Sequence, residues 1–200
     1  MQGLNEKIKV ILVTDGDQVA QKTIEIATHN IGGRCISTSA GNPTPISGPR
    51  IIDLIKEAAN EPVVVMFDDN GSTKRGKGEE ALSYVANHPD LEVMGVLAVA
   101  SNSGDAEVAH VDCAITKDKL VVEGQVNKEG NLISDQKVIS GDTINVINEL
   151  TQTGEIYTVG IGDLGKMEGY DNPYTGAEVT TKAMQEIMDH WEKKQRETVY

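Results

Sequence analysis

The sequence predicts an α/β fold: a doubly wound, mostly parallel five-stranded sheet of the Rossmann-like or flavodoxin-like kind, with an inserted β-hairpin. Three observations predict it. Short apolar, β-branched runs alternate with segments of helical spacing, four of those runs end in small or acidic residues, and a stretch at about 113–139 changes to the period of a hairpin. Helices that alternate with parallel strands cover both faces of the sheet.

The first half of the chain supplies three strands and two helices. Residues 8–13 form the first strand, and an apolar stripe then predicts a helix that ends at Gly32-Gly33. Residues 34–38 are a second strand, followed by a Pro- and Gly-containing loop at 39–45 that cannot be regular. A helix begins near residues 47–49, and the third strand follows at 63–67.

The second half continues the alternation after a basic, glycine-rich loop at 71–78. Asn127-Lys128-Glu129-Gly130 has the turn chemistry of a hairpin, and the final residues 192–200 are polar enough to fray. The predicted elements are a helix at 79–87, a strand at 93–100, hairpin strands at 119–126 and 131–138, a helix at 143–150, a strand at 156–161 and a helix at 179–191.

Composition indicates one domain over residues 1–200 and excludes several classes of partner. With 38% hydrophobic residues the chain can bury its own core, and a formal charge of -13 opposes binding to nucleic acid. No apolar run is long enough to cross a bilayer, and the amino terminus is unlike a secretory signal, so we expect the chain to fold in the cytoplasm. Cys35 and Cys113 have no metal-ligand spacing and are expected to be buried apolar residues.

Acidic residues follow the first and third strands. Asp15, Asp17, Asp68 and Asp69 would gather at the edge where parallel strands end, which is the usual ligand crevice of such folds. Their oxygens could share Mg²⁺ or Ca²⁺, the hard cations that prefer oxygen ligands. The alternative is that each aspartate caps the helix that follows it. The sequence leaves both interpretations open, and no other cofactor is expected.

Two loops carry candidate ligand-binding or partner-binding residues. In the basic loop, Lys74, Arg75 and Lys77 precede a helix whose N–H groups could hold an anion. The loop at 162–176 carries Tyr170 and Tyr174, which are suited to protein contact. The remaining candidates, all at predicted strand-end loops, are Asn42, Asp163 and Lys166.

The strand-end acids are similar to those of two enzyme families. Response-regulator receiver domains place an acidic pair, an acceptor Asp, a hydroxyl and a Lys after successive strands, where this chain has Asp15 and Asp17, Asp68, Ser101 and Lys166. Toprim domains use a Glu and an Asp-x-Asp motif, from which Asp15 and the Asp68-Asp69-Asn70 run depart. The four histidines show no metal spacing and no catalytic triad, so no catalytic residue is predicted.

Longer stretches resemble the stage V sporulation protein AE family of spore-forming bacilli. They are Val10-Ile11-Leu12-Val13-Thr14-Asp15-Gly16-Asp17, Gly32-Gly33-Arg34-Cys35-Ile36-Ser37, Ser39-Ala40-Gly41-Asn42-Pro43-Thr44, Phe67-Asp68-Asp69-Asn70-Gly71 and Gly160-Ile161-Gly162-Asp163-Leu164-Gly165-Lys166-Met167. The resemblance implies a subunit encoded with the spore membrane proteins that take up dipicolinic acid, chelated to calcium, in sporulation and release it in germination. It implies no catalytic residues.

The first functional hypothesis is therefore a non-enzymatic accessory subunit. It would be made in the cytoplasm of the developing spore, lie peripheral to the inner spore membrane, and contact membrane and soluble proteins of the dipicolinate channel or calcium dipicolinate itself. The second is a Mg-dependent phosphoryl-transfer or Toprim-like nucleic-acid enzyme that uses the strand-end aspartates. The third is a small-molecule sensor that uses the same crevice.

Overall fold

The computed structural model describes residues 6–70, 76–101, 107–141, 143, 145–153 and 156–198. The strands are β1 (Ile8–Val13), β2 (Arg34–Cys35), β3 (Val63–Met66), β4 (Leu91–Val99), β5 (Glu107–His110), β6 (Cys113–Ile115), β7 (Val121–Val122), β8 (Gln125–Val126), β9 (Leu132–Ser134), β10 (Val138–Gly141) and β11 (Thr158–Ile161). The helices are α1 (Gln18–Asn30), α2 (Gly48–Lys56), α3 (Lys77–Ala86), α4 (Asn145–Thr153) and α5 (Glu178–Thr198).

The main sheet has seven strands in the order β2-β3-β1-β4-β11-β6-β7. Every pairing in it is parallel except that of the edge strand β7 with β6. The five strands predicted from sequence are all present, and the α/β fold class is confirmed. The order places β3 directly beside β1, with β2 outside it, and β4 on the other side of β1.

Alternating side chains of the central strands pack into two separate hydrophobic cores, one on each face of the sheet. In β1, Val10 and Leu12 pack into one core, and Ile11 and Val13 pack into the other. The first core includes buried side chains of α2, α3 and α4, and the second includes those of α1 and α5. Helices thus cover both faces of the sheet, which explains why the central strands read as unbroken apolar runs.

The region predicted as one hairpin, at about 113–139, contains more than a hairpin. A turn at residues 127–130 does join β8 to β9, and Gly130 adopts a positive φ of 77° there. The predicted hairpin strands at 119–126 and 131–138 were too long, however. Val121–Val122 pairs with β6 in the main sheet, and β10 pairs with β5. These partners lie outside the hairpin, so local turn chemistry could not identify them.

The second predicted strand, at 34–38, is shorter in the structure. After β2 the chain enters a 3₁₀ turn at Ser37–Ser39. The buried hydroxyl of Ser39 donates to the carbonyl of Ile36 at 2.7 Å and accepts from the N–H of Met66 at 2.9 Å. A side chain thus takes the place of the next backbone pairing with β3.

The remaining differences concern helix ends. α4 begins at Asn145 rather than at 143, and α5 continues to Thr198, so most of the tail expected to fray is helical. None of the described helices is long and apolar enough to span a bilayer.

Candidate functional site: a cleft at the strand ends

A cleft of about 230 Å³ lies at the carboxyl ends of β1, β3, β4 and β11. The strand order changes direction at β1, and ligands of open α/β sheets bind at such switch points. The lining residues are Thr14, Asp15, Asp17, Asn42, Asp68, Val99, Ala100, Ser101, Lys128, Asp163 and Lys166. The structure therefore brings together six of the predicted site residues, together with Ser101 from the receiver-domain comparison. The six are Asp15, Asp17, Asn42, Asp68, Asp163 and Lys166.

Asp15 is an acid of the cleft with a raised pKa. Burial, with smaller contributions from the negative charges of Asp17, Asp68 and Asp163, raises its pKa to about 7, against the opposing effect of the hydrogen bond that its Oδ1 accepts from the Asp17 N–H at 3.2 Å. The backbone before Asp15 is fixed beside β4, because Thr14 donates its N–H to the carbonyl of Leu97 and its hydroxyl accepts from the N–H of Val99. Asp15 thus titrates near neutrality.

Lys166 supplies the positive charge. Its Nζ lies 3.2 Å from Asp17 Oδ2 and 3.0 Å from Asp163 Oδ1. Burial alone would lower the pKa of Lys166, but the hydrogen bonds to Asp163 and Asp17 outweigh that effect and raise it. The ammonium group therefore stays charged and links the loop after β11 to the start of α1.

Asp17 has a second role as the N-cap of α1. Its Oδ1 accepts from the N–H groups of Val19 and Ala20 at 2.7 and 2.8 Å. Partial burial opposes ionisation, but these bonds and Lys166 together lower the pKa of Asp17. For this aspartate, the capping interpretation from sequence is the one that the geometry supports.

Asp69 is also a cap, and it does not line the cleft. Its two carboxylate oxygens accept from the N–H groups of Gly78 and Glu79, at 2.6 and 2.7 Å. Gly78 allows this close approach, since a Cβ there would lie 2.3 Å from the carbonyl oxygen of Asp68. The consecutive residues Asp68 and Asp69 thus have different surroundings.

Asn42 reaches the cleft because its loop is tied to the end of β3. Thr44 donates its backbone N–H to the carbonyl of Asp68 at 2.9 Å, and the N–H of Asp68 donates to the hydroxyl of Thr44 at 2.9 Å. The Asp68 carboxylate also accepts from the N–H of Asn70 at 2.7 Å. A reciprocal pair of bonds thus positions both Asn42 and Asp68.

Lys128 is a cleft residue that sequence reasoning did not single out. It belongs to the turn between β8 and β9, and its carbonyl accepts from the N–H of Asp163 at 2.7 Å. This bond holds the inserted hairpin over the cleft. No local pattern marks a lysine in a hairpin turn as part of a distant site.

The other predicted binding residues that the structure describes, Lys77, Tyr170 and Tyr174, lie outside the cleft. Lys77 is exposed at the start of α3 and lines a different cavity, beside Tyr84. Lys74 and Arg75 lie outside the described residues. Tyr170 and Tyr174 are exposed on the loop at 162–176, with exposed fractions of 53% and 84%.

Asp171 organises that tyrosine-bearing loop and was not identified from sequence. Its fully buried carboxylate accepts from the N–H groups of Gly165, Val179 and Thr180 at 2.9–3.1 Å, and from the Thr180 hydroxyl at 2.6 Å. Burial raises the pKa of Asp171 and the bonds oppose that change. The loop is thereby anchored to the first turn of α5, seven residues downstream, which is beyond the spacing of a standard N-cap.

The metal hypothesis for Asp15, Asp17, Asp68 and Asp69 stays a prediction. Within the described ranges, no group of three or more His, Cys, Asp or Glu side chains is arranged to hold a metal ion. Asp17 and Asp69 direct oxygens at helix N–H groups. Asp15, with its raised pKa, lines the cleft together with the Lys166 ammonium group, which is paired with Asp17 and Asp163.

Comparisons with known proteins give one family. The family model described as Stage V sporulation protein AE1 matches residues 9–190. No curated protein matches this chain. Among solved structures, the chain is similar to a solution NMR structure titled "De novo designed PLOOP2X3_50 fold protein", with 11% identity, a TM-score of 0.44 and coverage of 92% of this chain and 96% of that one.

Proposed function

Because this chain belongs to the stage V sporulation protein AE1 family, we propose that it is a non-enzymatic accessory subunit of the spore membrane machinery that takes up and releases calcium dipicolinate. The family match covers residues 9–190. The family places the protein in sporulation. The dipicolinate role, the position at the inner spore membrane and the contacts with channel proteins are the proposal.

The observation that supports an accessory, protein-binding role best is the anchored loop at 162–176. Tyr174 exposes most of its side chain, yet its backbone is fixed, since its N–H donates to Asn172 Oδ1 at 2.8 Å and Asp171 secures the loop to α5. Tyr170 lies beside Lys117, whose Nζ is 5.2 Å from the ring centroid. Aromatic side chains held on a fixed backbone lose little entropy on binding, which favours them at protein interfaces.

The test compares the native chain with a Tyr170→Ala/Tyr174→Ala variant in sporulating cells. We expect the native chain to sediment with inner spore membranes that contain the channel proteins, and the variant to lose most of that association. The matched control is Tyr84→Ala, which removes another half-exposed tyrosine, from α3. Dipicolinate content of the spores is the functional readout, and we expect it to fall with the variant and to stay unchanged with the control.

Equal membrane association of the native chain and the double variant would reject the tyrosine surface. Association that persists in cells lacking the channel membrane proteins would reject those proteins as the partners. The first result would show that the tyrosine surface is not the binding surface, and the second that the channel proteins are not the partners.

One observation favours the second candidate, a Mg-dependent phosphoryl-transfer or nucleic-acid enzyme. Asp15 and Asp68 follow adjacent parallel strands and share the cleft with Ser101 and Lys166. Metal-dependent turnover that disappears in an Asp68→Ala variant would support this candidate. Membrane association that is intact in the same variant would support the accessory role.

A further inference from the structure

A second and larger cavity, of about 580 Å³, lies at the opposite end of the sheet from the strand-end cleft. Asp112 directly precedes β6 and Tyr157 directly precedes β11, so the cavity is at the amino ends of these parallel strands. The last turns of α5 close it with His190, Lys193 and Lys194. It shares no lining residue with the cleft.

Two ammonium groups border this cavity without a counter-ion among the described residues. Neither Lys193 nor Lys194 forms an ion pair with a described carboxylate. Most of the other lysines that the structure describes do pair with acids, as expected for a chain of charge -13, although Lys7, Lys22 and Lys77 do not. The paired ones are Lys9, Lys56, Lys117, Lys119, Lys128, Lys137, Lys166 and Lys182.

Neither of the acids that line the cavity, Asp112 and Glu197, forms an ion pair with these lysines. Asp112 Oδ2 accepts from the backbone N–H of Thr158 at 2.7 Å, and this hydrogen bond links the start of β6 to the start of β11. Glu197 is exposed on the outer turn of α5. His110 and His190 add ring nitrogens that can donate hydrogen bonds. The donors around the cavity therefore suit the oxygens of an anion.

One wall of the cavity is aromatic and held in place. The rings of Tyr157 and His190 stack with centroids 3.6 Å apart and an interplanar angle of 5°. The Tyr157 hydroxyl lies 3.3 Å from Cys113 Sγ and 3.5 Å from Glu186 Oε1, contacts that fix the orientation of the ring. A stacked pair of this kind offers planar surface to a third ring.

We propose that this cavity binds a small planar aromatic anion, with its carboxylate or phosphate oxygens toward Lys193 and Lys194 and its ring against the Tyr157–His190 wall. The site is separate from the tyrosine-bearing loop and from the strand-end cleft, but dipicolinate is itself a planar aromatic dicarboxylate, so in its ligand class the inference rests on the proposed function. Either outcome below leaves the accessory role to be judged by its own experiment.

Trp191 provides the readout. It is the single tryptophan of the chain, and it lines a smaller adjoining cavity that shares Tyr157, His190 and Lys194 with the large one. Its indole N–H donates to Glu92 Oε1 at 3.1 Å, so it gives one resolved NMR resonance whose shift can be followed during titration. The probes are isophthalate, phenyl phosphate and the neutral isophthalamide.

We expect a saturable shift of the Trp191 resonance with at least one of the two anions, and none with isophthalamide. Lys193→Ala/Lys194→Ala should weaken the anion at least about tenfold, the equivalent of about 1.4 kcal/mol. The control Lys22→Ala removes an exposed lysine of α1 that lines neither cavity, and it should bind like the native chain. Comparison of the binding of isophthalate with that of phenyl phosphate distinguishes a carboxylate from a phosphate ligand.

Three results would overturn the proposal: no saturable shift with either anion, equal binding of the neutral probe, or undiminished binding by the double lysine variant. His190→Gln provides a second variant. It should reduce the preference for isophthalate over the non-planar cyclohexanedicarboxylate, and an unchanged preference would reject the aromatic wall. Both lysines are exposed on a helix, so their replacement by alanine leaves the fold intact.

Discussion

Lys166 and Asp17 form an ion pair of 3.2 Å across 149 residues of sequence. The contact joins the loop after β11 to the N-cap of α1, and Asp163 completes it from the same loop. It places a lasting positive charge between acids that would otherwise repel one another.

Replacement of Lys166 by alanine should reduce the free energy of unfolding by less than about 1 kcal/mol. Its side chain is 45% exposed, and ion pairs in contact with solvent contribute little. Urea unfolding at low and high salt measures the difference, which should shrink as salt screens the pair. A loss above about 2 kcal/mol would mean that the cleft depends on this charge for folding.

Asp15→Asn should change how stability depends on pH. In the folded chain the pKa is about 7, against an ordinary value of 3.8, so between these values the folded state holds a proton that the unfolded state has released. The contribution of Asp15 to stability is therefore present at low pH and declines as pH rises through this window.

The Asn variant has no such decline. Its unfolding free energy relative to the native chain should rise as the pH increases from about 4 to about 7, by up to about 4 kcal/mol. Urea unfolding of both proteins at each pH provides the comparison. Parallel pH curves for the two proteins would contradict a raised pKa at Asp15.

Asp69→Ala should lower the free energy of unfolding by about 1–2 kcal/mol, since it removes the acceptor for two N–H groups in the first turn of α3. Chemical unfolding measures the loss. The control Asp53→Ala removes an exposed acid from α2 and should stay within about 0.5 kcal/mol of the native chain. Similar values for the two variants would argue against the cap.

Asp171→Ala should lower the free energy of unfolding by about 2–4 kcal/mol, because three backbone N–H groups and the Thr180 hydroxyl lose a buried acceptor. The released loop should also be cut faster by chymotrypsin at Tyr170 and Tyr174. Asp135→Ala, at an exposed position, is the control. Unchanged proteolysis would mean that other contacts fix the loop.

A thermal-shift titration with Mg²⁺, Ca²⁺ and calcium dipicolinate tests the acidic cleft directly. If it binds one of them, the midpoint should rise by about 5 °C or more near saturation, and Asp15→Ala/Asp68→Ala should abolish the rise. Asp53→Ala/Asp135→Ala removes the same charge from the surface and should respond like the native chain. No rise with any ligand would remove cation and chelate binding from the proposed role.

Much of the fold could be predicted locally. The apolar runs at β1, β3, β4 and β11 are strands, and the stretches between them are helices, because burial on both faces requires such continuous runs. β6 was missed, since a strand of three residues is too short to show a period, and β7 was predicted only as part of a longer hairpin strand at 119–126. Likewise Asp171 caps α5 from seven residues away, beyond the reach of any local pattern.

The sequence by itself determined that Asp15, Asp17, Asp68 and Asp163 follow strands, and hence that they lie at one edge of a parallel sheet. Only the tertiary structure decided which of them meet. The order β2-β3-β1-β4 puts Asp68 beside Asp15. Gly78, in contrast, allows the start of α3 to approach the backbone of Asp68 closely, so that Asp69 caps the helix. The larger cavity, too, joins residues near 110, 157 and 193. Periodicity encodes what is local along the chain, whereas strand order and helix approach depend on contacts between distant segments.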